Sequence, residues 1–411
     1  MMRTLIRNIK TLAGILPEGQ RLLKGEAMAH LEAIDNAFVL IENGLISDFG
    51  CMVDCPDNAD EMIDAGHRFV LPAWCDSHTH LVFAKWREKE FADKLRGLSY
   101  EEIARNGGGI LNSAKVLHET SEEELFDAAL ERLTEIQHTG TGAVEIKSGY
   151  GLSYEGELKM LRVIRKLKER SQLLIKSTFL GAHSYPMEYR QNHDGYLDLL
   201  INRLLPQIAD EGLADYVDVF CEDGFFSAEE TDRILAAAAK YGLQPKIHAN
   251  ELAFSGGIEV GVKHNALSVD HLECTADEQI EALLHSETMP TVLPTTAFFL
   301  KLPYAPARTM IDAGLPIALA SDYNPGSSPS GNVPFVLSLA CIHQKLSVEE
   351  VVNAATINGA YAMGVESLAG SITKGKRANL IITKQIPSLD FIPYRFGTSW
   401  IDKTIVHGTS N

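Results

Sequence analysis

His78 and His80 stand one residue apart in Cys75-Asp76-Ser77-His78-Thr79-His80, directly after the apolar run Phe69-Val70-Leu71-Pro72. Side chains on a β-strand alternate faces, so both imidazoles project the same way. Two neutral imidazoles side by side form half of a metal site that suits zinc or iron. Further donors close later apolar segments: His248, with Glu251 three residues on, His271 after Asp270, and Asp322. His78, His80, His248 and Asp322 supply enough ligands for a catalytic metal that keeps a position for water. Such an ion lowers the pKa of its water and polarises a carbonyl, which is hydrolytic chemistry. Asp322 is then placed to take the water's proton and pass it to a leaving nitrogen. Glu251 suits proton transfer to a substrate ring, and His271 can hydrogen-bond a developing oxyanion. Plainer readings stand beside these: His271 as a core histidine, Glu251 as a helix cap, Lys147 as a structural ion-pair partner.

Eight strand-like segments must position these groups: Phe69 to His80, Ala143 to Lys147, Leu174 to His183, Tyr216 to Cys221, Pro245 to His248, Leu267 to His271, Met289 to Leu293, and Pro316 to Ser321. Helical stretches separate them. Several open with Ser or Thr followed three residues later by Glu, at Ser121/Glu124, Ser227/Glu230, Thr275/Glu278 and Ser347/Glu350. Leu125, Ala129, Leu133 and Ile136 form one core-facing helical stripe. Alternating strands and helices predict a parallel α/β fold, and eight repeats predict a TIM-like (β/α)8 barrel. An open doubly wound sheet would want a Gly-rich phosphate turn after its first strand, and none stands there. A barrel places chemistry at the C-terminal ends of its strands, where the candidate residues lie. The fourth segment carries Asp218, Cys221 and Glu222 but no Lys, so a bridging carbamylated lysine is absent and one metal is favoured.

The chain ends read as short strands. Ala37–Ile41 and Leu45–Phe49 flank Glu42-Asn43-Gly44, and Asn-Gly is a strong hairpin signal. Residues 378–382 and 403–407 are strand-like too. Neither end suffices for a core alone, so residues 1–66 and 365–411 are expected to build one small β-sandwich beside a barrel at 67–364. With Lys+Arg 37 against Asp+Glu 55, the net charge is −18, which argues against nucleic acid or an anionic membrane as partner. Six scattered cysteines without a CxxC pair, no leader-like segment and no bilayer-length apolar run predict a soluble, reduced, cytoplasmic protein. A homodimer is the default assembly.

Asp76-Ser-His78-Thr-His80, His248, His271 and Asp322 resemble the amidohydrolase superfamily. Longer words resemble its imidazolonepropionase family: Val144-Glu-Ile-Lys-Ser-Gly-Tyr150-Gly, Thr178-Phe-Leu-Gly-Ala-His183, Asp218-Val-Phe-Cys-Glu222, His248-Ala-Asn-Glu251, Ser268-Val-Asp-His271-Leu and Asp322-Tyr-Asn324-Pro-Gly326-Ser327. The likeness runs from about residue 66 to 365 and more weakly through both ends. It implies one zinc or iron ion at His78, His80, His248 and Asp322, and hydrolysis of 4-imidazolone-5-propanoate to N-formimidoyl-L-glutamate. It also implies that Arg87, Tyr150, His183 and Glu251 contact this small substrate, with Asn324, Gly326 and Ser327 lining the pocket beside them. An arginine there suits a bidentate pair with the propionate. Tyr100 and Gly107-Gly108-Gly109 are expected to form a cover lending backbone donors. The chain departs from the family pattern at Ala73-Trp74, Ser321 and Thr295-Thr296. A deaminase of a purine or pyrimidine, or a barrel without activity, are the competing readings.

Overall fold

The computed structural model describes residues 2–98 and 108–410. Among the described residues, sixteen strands form two sheets. The first sheet joins the chain ends: β1 (Arg3–Ala13), β2 (Ala33–Glu42), β3 (Leu45–Cys51), β4 (Glu61–Asp64), β5 (Phe69–Pro72), β14 (Leu380–Thr383), β15 (Ile401–Val406) and β16 (Thr409–Ser410). Asn43 and Gly44 take φ of 53° and 79°, the left-handed pair that a tight β2–β3 hairpin demands. The sheet curls around a core that includes Ile6, Val39, Val70, Leu380 and Ile405, residues from both ends of the chain. A bridge from Leu45 to Arg377 ties its β3 edge to the segment before β14.

The second sheet runs β6 (Trp74–Thr79), β7 (Thr141–Lys147), β8 (Leu174–Ala182), β9 (Tyr216–Cys221), β10 (Gln244–Ala249), β11 (Ser268–His271), β12 (Met289–Val292) and β13 (Ala318–Leu319). Neighbours in the chain are neighbours in space, and every pairing is parallel. Asp322 N–H donates to His78 O and His80 N–H to Tyr323 O, both at 2.9 Å, which closes the barrel between its first and last strands. The expected (β/α)8 barrel is therefore present, and the bonds that close it run through the metal-ligand candidates themselves.

Two segments differ from expectation. The run 69–80 is two strands, because β5 pairs with β1 and β14 in the small sheet and the chain crosses to the barrel at Ala73. The last barrel strand shrinks to Ala318–Leu319. Beyond it, Ser321 N–H and Oγ–H both donate to the Asp76 carboxylate, at 2.9 and 2.5 Å, and Asp322 turns to φ 51°. Capping boxes form at Ser121, Ser227 and Ser347. The expected box at Thr275 does not form. Its hydroxyl donates to Leu272 O instead, and the helix starts one residue later, with Ala276 N–H on the Gln279 side chain. Leu125, Ala129, Leu133 and Ile136 are buried as one face of the helix Glu122–His138.

Candidate active site

Period-two alternation turns His78, Lys147, Asp218, His248 and Asp270 into the barrel's interior, where all are buried. Three imidazole nitrogens meet there. His78 Nε2 lies 3.1 Å from His248 Nε2 and 3.3 Å from His80 Nε2, and His80 Nε2 lies 3.3 Å from His248 Nε2. Asp322 Oδ1 completes the set at 3.3 Å from His80 Nε2 and 3.5 Å from His78 Nε2. A tetrahedral zinc with bonds of about 2.0–2.1 Å would hold its ligands roughly 3.3 Å apart. His78, His80 and Asp322 stand close enough to share one divalent ion, and His78, His248 and His271 form a second such group around the same imidazole.

The outer nitrogens explain which lone pairs face inward. His78 Nδ1 is 2.6 Å from Asp270 Oδ2, and His248 Nδ1 is 3.0 Å from Asp218 Oδ2. The proton shared between His78 Nδ1 and Asp270 leaves His78 Nε2 as an acceptor, the orientation that carboxylate–histidine–metal triads use, whereas Asp218 acts on His248 by its charge, His248 Nδ1 having no hydrogen-bond partner among the described residues. Below them lies a wholly buried charge network. Lys147 reaches Glu145 at 2.6 Å and Asp218 at 2.8 Å, and Lys246 pairs with Glu145 and with Ser77 O. Lys147 is an ion-pair partner here. Burial works against ionised Asp218, yet His248 and Lys147 hold it well below the usual carboxylate range. Burial, with the Lys147 charge beside it, keeps His78 neutral.

Above the donors opens a cavity of about 310 Å³. His80, His248 and Asp322 line it, together with Arg87, Tyr150, His183, Glu251, His271, Asn324, Gly326 and Ser327. Every expected site residue is there except His78, which sits beneath. Arg87 Nε–H donates to Ser113 Oγ at 2.9 Å, while its buried Nη2 has no hydrogen-bond partner among the described residues. A guanidinium edge left unmatched over a cavity is a ready carboxylate receptor. Gly326 makes room for it, since a Cβ there would lie 2.5 Å from Arg87 Nη1. His183 stacks on His80 with centroids 5.4 Å apart, and its Nδ1 contacts Gly149 O at 3.0 Å, which leaves Nε2 free to accept. Gly149 adopts φ 110°, and a Cβ would meet His183 Nδ1 at 2.8 Å.

Asn324 spends its side chain on its own loop. Its Oδ1 accepts from Gly326 N–H and Ser327 N–H, and its Nδ2 donates to Asp322 O and Ser327 Oγ. It shapes the pocket wall. Glu251 is buried, and that burial, with Asp322 and Glu222 nearby, pushes its carboxyl up to about 8. His271 Nε2 lies 3.8 Å from Glu251 Oε2, and burial lowers His271 to about 3, so its ring is neutral. Gly109 N–H donates to Glu90, so that amide serves the loop. Tyr100 and Gly107 lie outside the described residues.

Some contributors were not legible as site residues. Thr296 Oγ–H donates to Asp322 Oδ2 at 2.6 Å, and Thr295 Oγ–H to Ser321 O at 2.9 Å. Against burial, the contacts to His80 and Thr296 help to hold Asp322 down to about 2. Glu222 accepts Leu252 N–H at 2.9 Å and so fixes the turn that carries Glu251. Phe220 and Phe225 form an apolar wall. The departure at Thr295-Thr296 was the signal that pointed near the first of these.

A model of the amidohydrolase family matches residues 87–410. A relative from Flavobacterium johnsoniae, named imidazolonepropionase, is 58% identical over 408 residues, 99% of this chain and 99% of its own. One of the same name from Christiangramia forsetii is 56% identical with the same coverage. Among solved structures, an E. coli guanine deaminase superposes with a TM-score of 0.76 at 13% identity, covering 100% of this chain and 99% of that one. That likeness concerns the fold alone.

Proposed function

This chain belongs to the amidohydrolase family and, within it, to the imidazolonepropionases, and we infer from that membership that it hydrolyses 4-imidazolone-5-propanoate to N-formimidoyl-L-glutamate in histidine degradation. One observation carries the assignment of roles: Arg87, whose Nη2 has no hydrogen-bond partner among the described residues, lines the same cavity as His80, His248 and Asp322. One divalent ion, zinc or iron, held by His78, His80, His248 and Asp322, supplies an activated water and a polarised ring carbonyl when bound. Arg87 pairs with the propionate. Tyr150 and His183 flank the ring, and His183 Nε2 accepts a ring N–H. Asp322 takes the proton of the attacking water and delivers it toward the leaving nitrogen. Glu251, protonated at the start, gives its proton to the opening ring and regains one from the new carboxyl group, and the neutral His271 donates Nε2–H to the developing oxyanion. Asn324, Gly326 and Ser327 shape the wall.

No helix among the described residues is long and apolar enough to cross a membrane. Six free cysteines support the cytoplasm as the compartment, and a homodimer is the assembly proposed. Chelation and reconstitution test the site. Stripped protein should lose ring opening and regain it fully with one equivalent of zinc or iron per chain. A requirement for two equivalents, or activity that survives complete stripping, would overturn the single-ion reading.

A further inference from the structure

His271 and the residue after it are the least relaxed stretch of backbone near the cavity. His271 takes φ 86° and Leu272 φ 71°, both left-handed and both without glycine's freedom. Two such residues in succession persist only where surrounding contacts enforce them. The enforcement is visible. Leu272 N–H donates to Ala249 O, and Asn250 and Cys274 exchange two hydrogen bonds, from Cys274 N–H to Asn250 O at 2.8 Å and from Asn250 Nδ2 to Cys274 O at 2.9 Å. The loops after β10 and β11 are stitched together across this turn. Its result is that Glu273 folds back beside His271 instead of pointing away.

The two side chains face each other with unmet polar atoms. His271 Nδ1 lies 3.8 Å from Glu273 Oε2, and neither atom has a hydrogen-bond partner among the described residues. Their side chains are 3% and 1% exposed, so water offers no easy substitute. An unsatisfied buried polar pair is costly, and about 1 Å of approach would make it a hydrogen bond. On the other side of the same ring, Nε2 faces Glu251 and the cavity. We propose that Glu273 is a positioning residue for His271, its carboxyl O–H donating to Nδ1 and thereby fixing Nε2 as the nitrogen that carries the ring's proton.

The direction of that bond follows from the surroundings. Burial acts on Glu273 first, and the side chains of Glu251, Asp322 and Glu222 nearby are all acids with no cation among them, so its carboxyl is held well above the usual range. A protonated carboxyl has one O–H to give, and a neutral imidazole has one nitrogen to receive it. With Nδ1 as acceptor, Nε2–H is the only donor His271 presents to the cavity. The use of that donor on an oxyanion rests on the ring-opening reading above. The tautomer itself does not.

The test uses full-length, zinc-loaded protein labelled with 15N-histidine, with His271 assigned by comparison with His271→Gln. The wild type and Glu273→Gln, whose amide N–H can donate in place of the acid, should both show His271 neutral with its proton on Nε2. Glu273→Leu should redistribute the proton toward Nδ1. In turnover, Glu273→Gln should stay within about threefold of wild-type kcat, while Glu273→Leu should lose roughly 10- to 100-fold in kcat with KM and zinc content unchanged. A wild-type His271 with its proton on Nδ1, or charged, overturns the proposal. So does a Gln variant as impaired as the Leu variant. If Glu273→Leu does not fold, the wild-type spectrum and the Gln variant decide the matter alone. Because the tautomer is read without substrate, its failure and a failure of the ring-opening activity are separate results.

Discussion

Asp270 Oδ2 lies 2.6 Å from His78 Nδ1, with its other oxygen accepting from Ser268 Oγ–H at 2.5 Å. The contact fixes both the ring plane and the tautomer of the most deeply buried candidate ligand, and it does so from another strand of the barrel. Asp270→Asn keeps the shape but removes the charge that holds the proton on Nδ1. Outer partners of metal-bound histidines are typically worth 10- to 100-fold in affinity, so a chelator-competition titration should show zinc bound about that much more weakly. Unchanged affinity would mean that Asp270 serves only to balance Lys147 and Lys246.

Arg87 should read the substrate's charge. A buried charge-assisted pair contributes about 1.5–3 kcal/mol, so Arg87→Met should lower kcat/KM by roughly 10- to 150-fold. The same change should be nearly silent on an imidazolone that lacks the propionate. Gly326→Ala should give a smaller loss of the same kind, since its Cβ would lie 2.5 Å from Nη1 and push the guanidinium aside. Equal losses on charged and uncharged rings would make Arg87 a support for the loop.

Thr296 Oγ–H donates to Oδ2 of the candidate ligand Asp322. Thr296→Val is close in shape and removes only the hydroxyl, leaving Asp322 Oδ2 short of a donor. A hydrogen bond to a charged group is worth about 1.5–3 kcal/mol. We expect weaker zinc binding and lower kcat by roughly 10-fold or more, with KM unchanged, measured by chelator competition and steady-state kinetics. A variant indistinguishable from wild type would remove Thr296 from the site.

Glu251 should set the alkaline limit of the reaction. Its carboxyl is pushed up from 4.5 to about 8, so kcat should fall as pH rises through about 8 and the proton is lost. Glu251→Gln should cut kcat by roughly 10²-fold and flatten that limb. The same shift bears on stability. The folded state keeps a proton that the unfolded state releases above 4.5, so this group's contribution falls between pH 4.5 and about 8. Denaturant titrations should show a shallower pH slope in Glu251→Gln over that window. An unaltered slope would place the titration elsewhere.

The convergence of the candidate ligands was legible because strand alternation and strand ends are properties of local sequence. His78 and His80 needed only period two, and His248 and Asp322 only the polar closings of apolar runs. Asp270, Asp218 and Thr296 needed the register of neighbouring strands, which local pattern does not contain: His248 stands beside Asp270 across β10 and β11. The run from Phe69 is apolar throughout, so no periodicity marks where it leaves one sheet for the other. Thr275 offered a capping pattern, but a competing carbonyl at Leu272 took its hydroxyl.

The most direct measurement follows product and ammonia together when 4-imidazolone-5-propanoate is given to protein holding one zinc or iron per chain. The product should carry the added mass of one water and be identical by NMR to N-formimidoyl-L-glutamate, with no ammonia released in the first turnover. Ammonia appearing in step with substrate loss, or a ring recovered intact, would contradict hydrolytic ring opening.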